Sequence, residues 1–158
     1  MVGFTTMPPP TISTLSYITR EQLASTLLSV PSTAAPAIID VRDSDHIGGH
    51  IRGSTWVPSS QHDYKMPELL RTLKDKDVVV FHCALSQQRG PAAALRYLRE
   101  KEARQGGVKE KGEEIGQAQK DGQKVYVLKG GFTEWQEMYG KDARLTEGYQ
   151  KDVWEFGN

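Results

Sequence analysis

The chain has 158 residues, 37% apolar and 25% charged, and its 20 basic and 20 acidic side chains cancel to a formal net charge of zero. That length suits one domain with a core of ordinary size, and the balanced charge gives no electrostatic reason to expect nucleic acid or an anionic membrane as partner. No apolar run approaches the roughly 18 residues that span a bilayer, and a single cysteine excludes an intramolecular disulfide and argues against a cysteine-based metal site.

A lone thiol fits a reducing compartment. The start lacks the basic-then-apolar pattern of a secretory signal, and Val2 stands where myristoylation requires glycine. A cytoplasmic or nuclear protein is the expectation.

In chain order, residues 1–13 are rich in Pro and Thr, with a Pro8-Pro9-Pro10 run, and read as a flexible N-terminal tail. Such a run is also a possible extended ligand for a partner module. Leu15-Ser16-Tyr17-Ile18 reads as a short strand. Thr19 then offers a helix N-cap, and Gln22 completes a capping box. Leu23, Leu27 and Leu28 carry helical spacing to about Ser29. Ala37 to Arg42, AIIDVR, is a buried strand ending in charge, and Thr55 to Pro58 is a short strand stopped by its proline. From Tyr64 to Lys74, Met66, Leu69, Leu70 and Leu73 share one helical face. Asp75-Lys76-Asp77 turns into Val78-Val79-Val80-Phe81, a buried strand. A helix follows from about Gly90 to Arg104, burying Ala94, Leu95 and Leu98.

Residues 105–123 are polar, with charges that nearly cancel, and read as a solvated insertion. Lys124 to Leu128 is a further buried strand. Gly130 and Gly131 permit turns that a Cβ would hinder, and Phe132 and Trp135 read as core. The segment from Leu145 to Asn158 is too apolar for a free tail and is expected to pack on the body or on a partner chain. Short apolar strands interleaved with helices predict an α/β domain over residues 14–158, with a central, mainly parallel sheet.

The chemistry concentrates at Cys83 and Arg89, which lie between the Val78 strand and the helix after Pro91. A strand that turns straight into a helix leaves free backbone N–H groups at the helix start, and these, with the helix dipole, favour an anion. The charged thiolate is the form of cysteine that such a place stabilises. Arg89 is forked and always charged, so it can hold two oxygens of a tetrahedral oxyanion. Cys-x5-Arg alone is a weak pattern, and a free cysteine is commonly an inert core thiol. The strand-loop-helix setting is what makes Cys83 a candidate nucleophile. Asp40 and Arg42 read either as a structural ion pair or as a source of a carboxylate near the anion. His46 and His50 are four apart, but no further ligand completes a metal set.

His82-Cys83-x-x-Ser86-x-x-Arg89-Gly90-Pro91 resembles the active-site loop of rhodanese-fold cysteine phosphatases of the cell-division-cycle, M-phase-inducer type. The Arg-Gly-Pro ending is most similar to their small relatives, which include eukaryotic arsenate reductases. Upstream, IIDVR…GGHIRGS resembles the rhodanese signature, and Gly130-Gly131-Phe132 with Trp135 resembles its closing segment, so the likeness spans about residues 14–137.

The resemblance implies a single rhodanese-like domain with a mainly parallel five-stranded sheet flanked by helices. It implies Cys83 as nucleophile and Arg89 as its catalytic partner. Backbone N–H groups of Ala84, Leu85, Ser86, Gln87 and Gln88 would line the oxyanion cup, with Asp40, Arg42 and His82 as supporting residues. The expected activity is a phosphatase of the protein tyrosine or dual-specificity type, working through a phosphocysteine. Arsenate reduction is the first alternative, with glutathione or a glutaredoxin supplying the second thiol. A thiosulfate-type sulfurtransferase or a non-catalytic binding module is the second, although family sulfurtransferase loops are one residue shorter. No cofactor or metal is expected. The loop between Cys83 and Arg89 lacks the acidic residues of the larger phosphatases, which leaves Asp40, Asp43, Asp45 and Glu68 as candidate general acids. The expected partner is a phosphorylated substrate or a small oxyanion.

Overall fold

A computed structural model of the chain describes residues 9–109 and 122–156. The strands are β1 (Ser16–Ile18), β2 (Ala37–Asp40), β3 (His50–Ile51), β4 (Thr55–Trp56), β5 (Val78–His82), β6 (Lys124–Leu128) and β7 (Thr146–Glu147). The helices are α1 (Arg20–Ser29), α2 (His62–Leu73), α3 (Arg89–Lys109), α4 (Gly131–Tyr139) and α5 (Lys151–Phe156).

Five strands form one sheet in the order β1-β6-β5-β2-β4, and every pairing in it is parallel. Parallel neighbours need crossover connections, which α1, α2 and α3 supply. The apolar run Val78 to Phe81 has the unbroken hydrophobicity of a strand covered on both faces. Val79, Phe81 and Cys83 join the core beneath α2 and α3. Val80 joins the core beneath α1 and α4 with Leu23, Ile38, Leu128, Phe132 and Trp135. Alternation with period two therefore puts Cys83 on one face and His82 on the other.

Local sequence explains the ends of these elements. Thr19 Oγ1 accepts the Gln22 N–H at 3.0 Å, and Gln22 Oε1 accepts the Thr19 N–H at 2.9 Å. The expected capping box therefore starts α1. Helix α2 begins two residues earlier than its apolar spacing suggests and holds Pro67 within it. Helix α3 runs past the expected end at Arg104 to Lys109, through Gly106 and Gly107. Glycine weakens a helix by roughly 1 kcal/mol relative to Ala, and this made the earlier stop the natural expectation. The expected charged insertion thus overlaps the end of α3, while residues 110–121 lie outside the described residues, as do residues 1–8 of the expected tail. Ile12–Thr14 form a short 3-10 turn, and Pro10 O accepts a hydrogen bond from Arg99 Nε at 3.3 Å.

A second, two-stranded sheet pairs β3 with β7 antiparallel, and strands of two residues carry no periodicity that would announce it. The C-terminal segment does pack on the body. The Trp154 ring lies 5.5 Å from that of Phe132, and its Nε1 donates to Gly48 O at 2.9 Å.

The strand order also fixes where a site can form. The chain leaves β2 toward β4 on one side and leaves β5 toward β6 on the other. Connections that diverge in this way open a crevice at the carboxyl ends of two adjacent strands. Here the crevice lies between β2 and β5, where the loop 41–49 faces the loop 83–88.

Candidate active site

Cys83 follows directly on β5 and is 3% exposed. Its Sγ accepts two backbone N–H bonds, from Ser86 at 3.2 Å and Gly90 at 3.3 Å. Both donors converge on the sulfur from the turn of the loop and the first turn of α3. The loop closes this tightly because Ser86 adopts a left-handed conformation, φ 57°, and its Oγ accepts the Cys83 N–H at 3.4 Å. Gly90 eases the packing, since a Cβ there would meet Cys83 N and His82 Cα at 3.3 Å, tighter than ordinary contact.

The loop carbonyls are drawn to one side. Cys83 O accepts the Phe132 N–H, and Ala84 O accepts the Thr133 N–H, each at 2.9 Å. These are orphan donors at the start of α4, so this helix terminus is spent on the loop. Gly131, φ 60°, permits the approach, because any side chain there would collide with Ala84 O. With the carbonyls so engaged, the N–H groups of Ala84, Leu85, Gln87, Gln88 and Arg89 donate to no atom of the described residues. A short run of unpaired N–H groups over a buried thiol is a cradle for an oxyanion.

Arg89 opens α3 and reaches across the crevice. Its Nη1 and Nη2 donate to Asp45 Oδ1 and Oδ2 at 2.8 and 2.6 Å, and Nη1 also reaches Asp43 Oδ2 at 3.3 Å. The Arg89 hydrogen bonds hold Asp45 at about 2, well below the ordinary carboxylate range. Asp43 is shifted the same way: burial opposes the charge, but hydrogen bonds from Ser59, Ser60 and Arg89 outweigh it. Both carboxylates are ionised at neutral pH, so neither carries the proton a general acid needs. Glu68 lies on α2, where it pairs with Lys65 at 3.8 Å.

Asp40 and Arg42 take the structural role. Both side chains are fully buried and pair at 2.8 Å. Arg42 also donates to Gly49 O at 2.9 Å and Ile47 O at 3.4 Å, and its guanidinium lies 4.5 Å above the Phe132 ring. Burial pushes the Asp40 carboxyl up, while the hydrogen bonds and positive charge of Arg42 pull it down, leaving it below its ordinary value. His82 is fully buried and held below its ordinary value by burial. Its ring is therefore neutral, with Nδ1–H donating to Cys83 O at 3.1 Å, while Nε2, 3.8 Å from Asp40 Oδ2, has no hydrogen-bond partner among the described residues. His46 stacks on Trp56 at 4.3 Å, 3.5 Å from Asp40. Among the described residues no group of His, Cys, Asp or Glu is arranged to hold a metal ion.

Of the sequence candidates, the structure thus gathers Cys83, the loop and Arg89 with Asp43 and Asp45, and it sets Asp40 and Arg42 beneath them. Sequence reasoning did not find the Asp45–Arg89 pairing or the grip of α4 on the loop. The Gly130-Gly131 dipeptide was the only trace of the latter.

Residues 23–138 match the family of the rhodanese-like domain. The CDC25-like phosphatase YCH1 of Saccharomyces cerevisiae is 37% identical over 128 residues, covering 74% of this chain and 76% of that protein. Arsenate reductase 2.2 of Oryza sativa subsp. japonica is 34% identical over 127 residues, covering 77% and 82%. The solved structure of Ygr203w, a yeast protein tyrosine phosphatase of the rhodanese family, superposes with a TM-score of 0.65 at 32% identity, over 89% of this chain and 96% of that one. The chain belongs to the rhodanese-like family, beside relatives named both as Cdc25-like phosphatases and as arsenate reductases.

Proposed function

We propose that this protein is a cysteine-dependent phosphatase of the protein tyrosine or dual-specificity type. The observation that carries this reading is the Cys83 sulfur, which accepts two backbone N–H bonds at the base of a loop whose other N–H groups are unpaired. The Cys83 thiolate attacks phosphorus in line; an S–P bond forms as the P–O bond to the leaving group breaks. The unpaired N–H groups of Ala84, Leu85, Gln87 and Gln88 and the Arg89 guanidinium take up the charge on the equatorial oxygens. Ser86 Oγ, which accepts the Cys83 N–H at 3.4 Å, is held in the same loop turn, and its hydroxyl stabilises the thiolate when it departs. Water then attacks phosphorus, releasing phosphate and regenerating Cys83.

Asp43 and Asp45 are ionised, so the leaving oxygen takes its proton from water or departs as an anion. That favours phenolic leaving groups, with pKa about 10, over aliphatic hydroxyls. Hydrolysis of an aryl phosphate by wild type under reducing conditions, lost in both Cys83→Ser and Arg89→Ala, is the expected result. A wild-type protein with no such activity contradicts the reading.

Arsenate reduction is the second reading, favoured by the relative named as an arsenate reductase. Reducing As(V) to As(III) takes two electrons, delivered as two thiols become a disulfide. This chain has one cysteine, so the second thiol comes from glutathione or a glutaredoxin. Arsenate turnover that depends on added glutathione and glutaredoxin, without aryl phosphate hydrolysis, would favour it.

A further inference from the structure

We infer that Asp45 is a positioning residue, which holds Arg89 by one edge so that the other edge is presented to the oxyanion. A guanidinium carries five N–H donors. Nη1 spends both of its hydrogens, on Asp45 and Asp43, and Nη2 spends one on Asp45. The Nε–H and the second Nη2–H remain, and neither donates to any atom of the described residues. These two lie parallel along one side of the group, the fork that matches two oxygens of a tetrahedral anion. Oxyanion binding therefore requires no break in the Asp45 pair.

The alternative is a latch, in which Asp45 occupies Arg89 until substrate displaces it. A latch needs a carboxylate that can move away, and the surroundings of Asp45 are tied down. Asp43, two residues before it, accepts hydrogen bonds from Ser59 Oγ at 2.5 Å and Ser60 N at 3.0 Å. Asp45 Oδ1 also accepts the Asp43 N–H at 2.9 Å. Arg42 grips the carbonyls of Ile47 and Gly49 from below, and Trp154 grips that of Gly48. The loop is pinned on both sides of Asp45, as a support must be. Fixing a charged group before the reaction is where orientation gives its largest gains. Asp45 also repels an anion, but its side chain is 42% exposed, so water screens that repulsion, while the hold on Arg89 is a direct contact.

The inference rests on the oxyanion cup of the reading above, and its test separates the two. Inorganic phosphate affinity is measured by calorimetry, and KM and kcat for an aryl phosphate by kinetics, on wild type, Asp45→Asn and Asp45→Glu. Asparagine keeps an acceptor for the Asp43 N–H and removes the charge that holds Arg89. We expect phosphate affinity to weaken and KM to rise about tenfold in Asp45→Asn, with part of the loss recovered in Asp45→Glu and thermal stability little changed. Unchanged or tighter phosphate binding in Asp45→Asn overturns the inference in favour of a latch or a surface pair. Wild type that binds phosphate but hydrolyses no ester sinks the phosphatase reading alone, because the change in phosphate affinity still reports on Asp45. Wild type that binds no phosphate overturns both.

Discussion

Two Asp–Arg pairs stand five residues apart at the Asp end, and they do different work. Asp40 and Arg42 are fully buried. Arg42 spends its donors on Asp40, Gly49 O and Ile47 O, and its flat face on Phe132. Asp45 and Arg89 pair just as closely, at 2.6 Å, but their side chains are 42% and 33% exposed, and one edge of Arg89 has no partner among the described residues. The first pair sets the path of the loop 41–49. The second joins the loop 41–49 to the start of α3 and leaves Arg89 with donors to spare among the described residues. Residue type does not separate the structural arginine from the one proposed to bind an oxyanion; burial and the count of spent donors do.

The contrast can be broken by removing each arginine. Arg42→Ala leaves the Asp40 charge buried without its partner, which costs about 3–5 kcal/mol and shows as a large fall in melting temperature by calorimetry. Arg89→Ala removes a partly exposed pair worth about 0–1 kcal/mol, yet lowers kcat/KM for an aryl phosphate by roughly 100- to 1000-fold. Equal losses of stability in the two variants would erase the distinction.

Acid sharpens the same contrast with a smaller effect. Burial holds His82, His62 and His46 below the ordinary histidine value of 6.5. As the pH falls below about 6.5, the unfolded chain takes up protons that the folded chain refuses, so stability drops with acidification and is complete above that value. Melting temperature is expected to decline between about pH 7 and pH 5. Asp45, at about 2, stays ionised across that window and its pair with Arg89 persists. A melting temperature that holds steady or rises toward pH 5 would contradict the neutral state of the buried histidines.

Much of this was legible in the sequence. Val78 to Phe81 could only be a covered strand, and Pro91 with the Ala- and Leu-rich run after it could only open a helix. Those two facts alone placed Cys83 and Arg89 at a strand-helix junction. Thr19 and Gln22 announced a cap that the structure reproduces bond for bond. The Asp45–Arg89 pair was not legible, because Asp43, Asp45 and Glu68 are equivalent as letters, and only the divergence of the chain at β2 and β5 selects the first two. Pairing of β3 with β7 joins two-residue strands about a hundred positions apart, and such short segments carry no periodicity. The α4 hold on the loop is made by backbone N–H groups, which every residue but proline carries.

The most direct measurement is to quench turnover of an aryl phosphate with acid and search the digested protein by mass spectrometry. The prediction is a phosphate adduct on the Cys83 peptide of wild type and none in Cys83→Ser, which is also inactive. Turnover that leaves no adduct in wild type and survives in Cys83→Ser would contradict a nucleophilic role for Cys83.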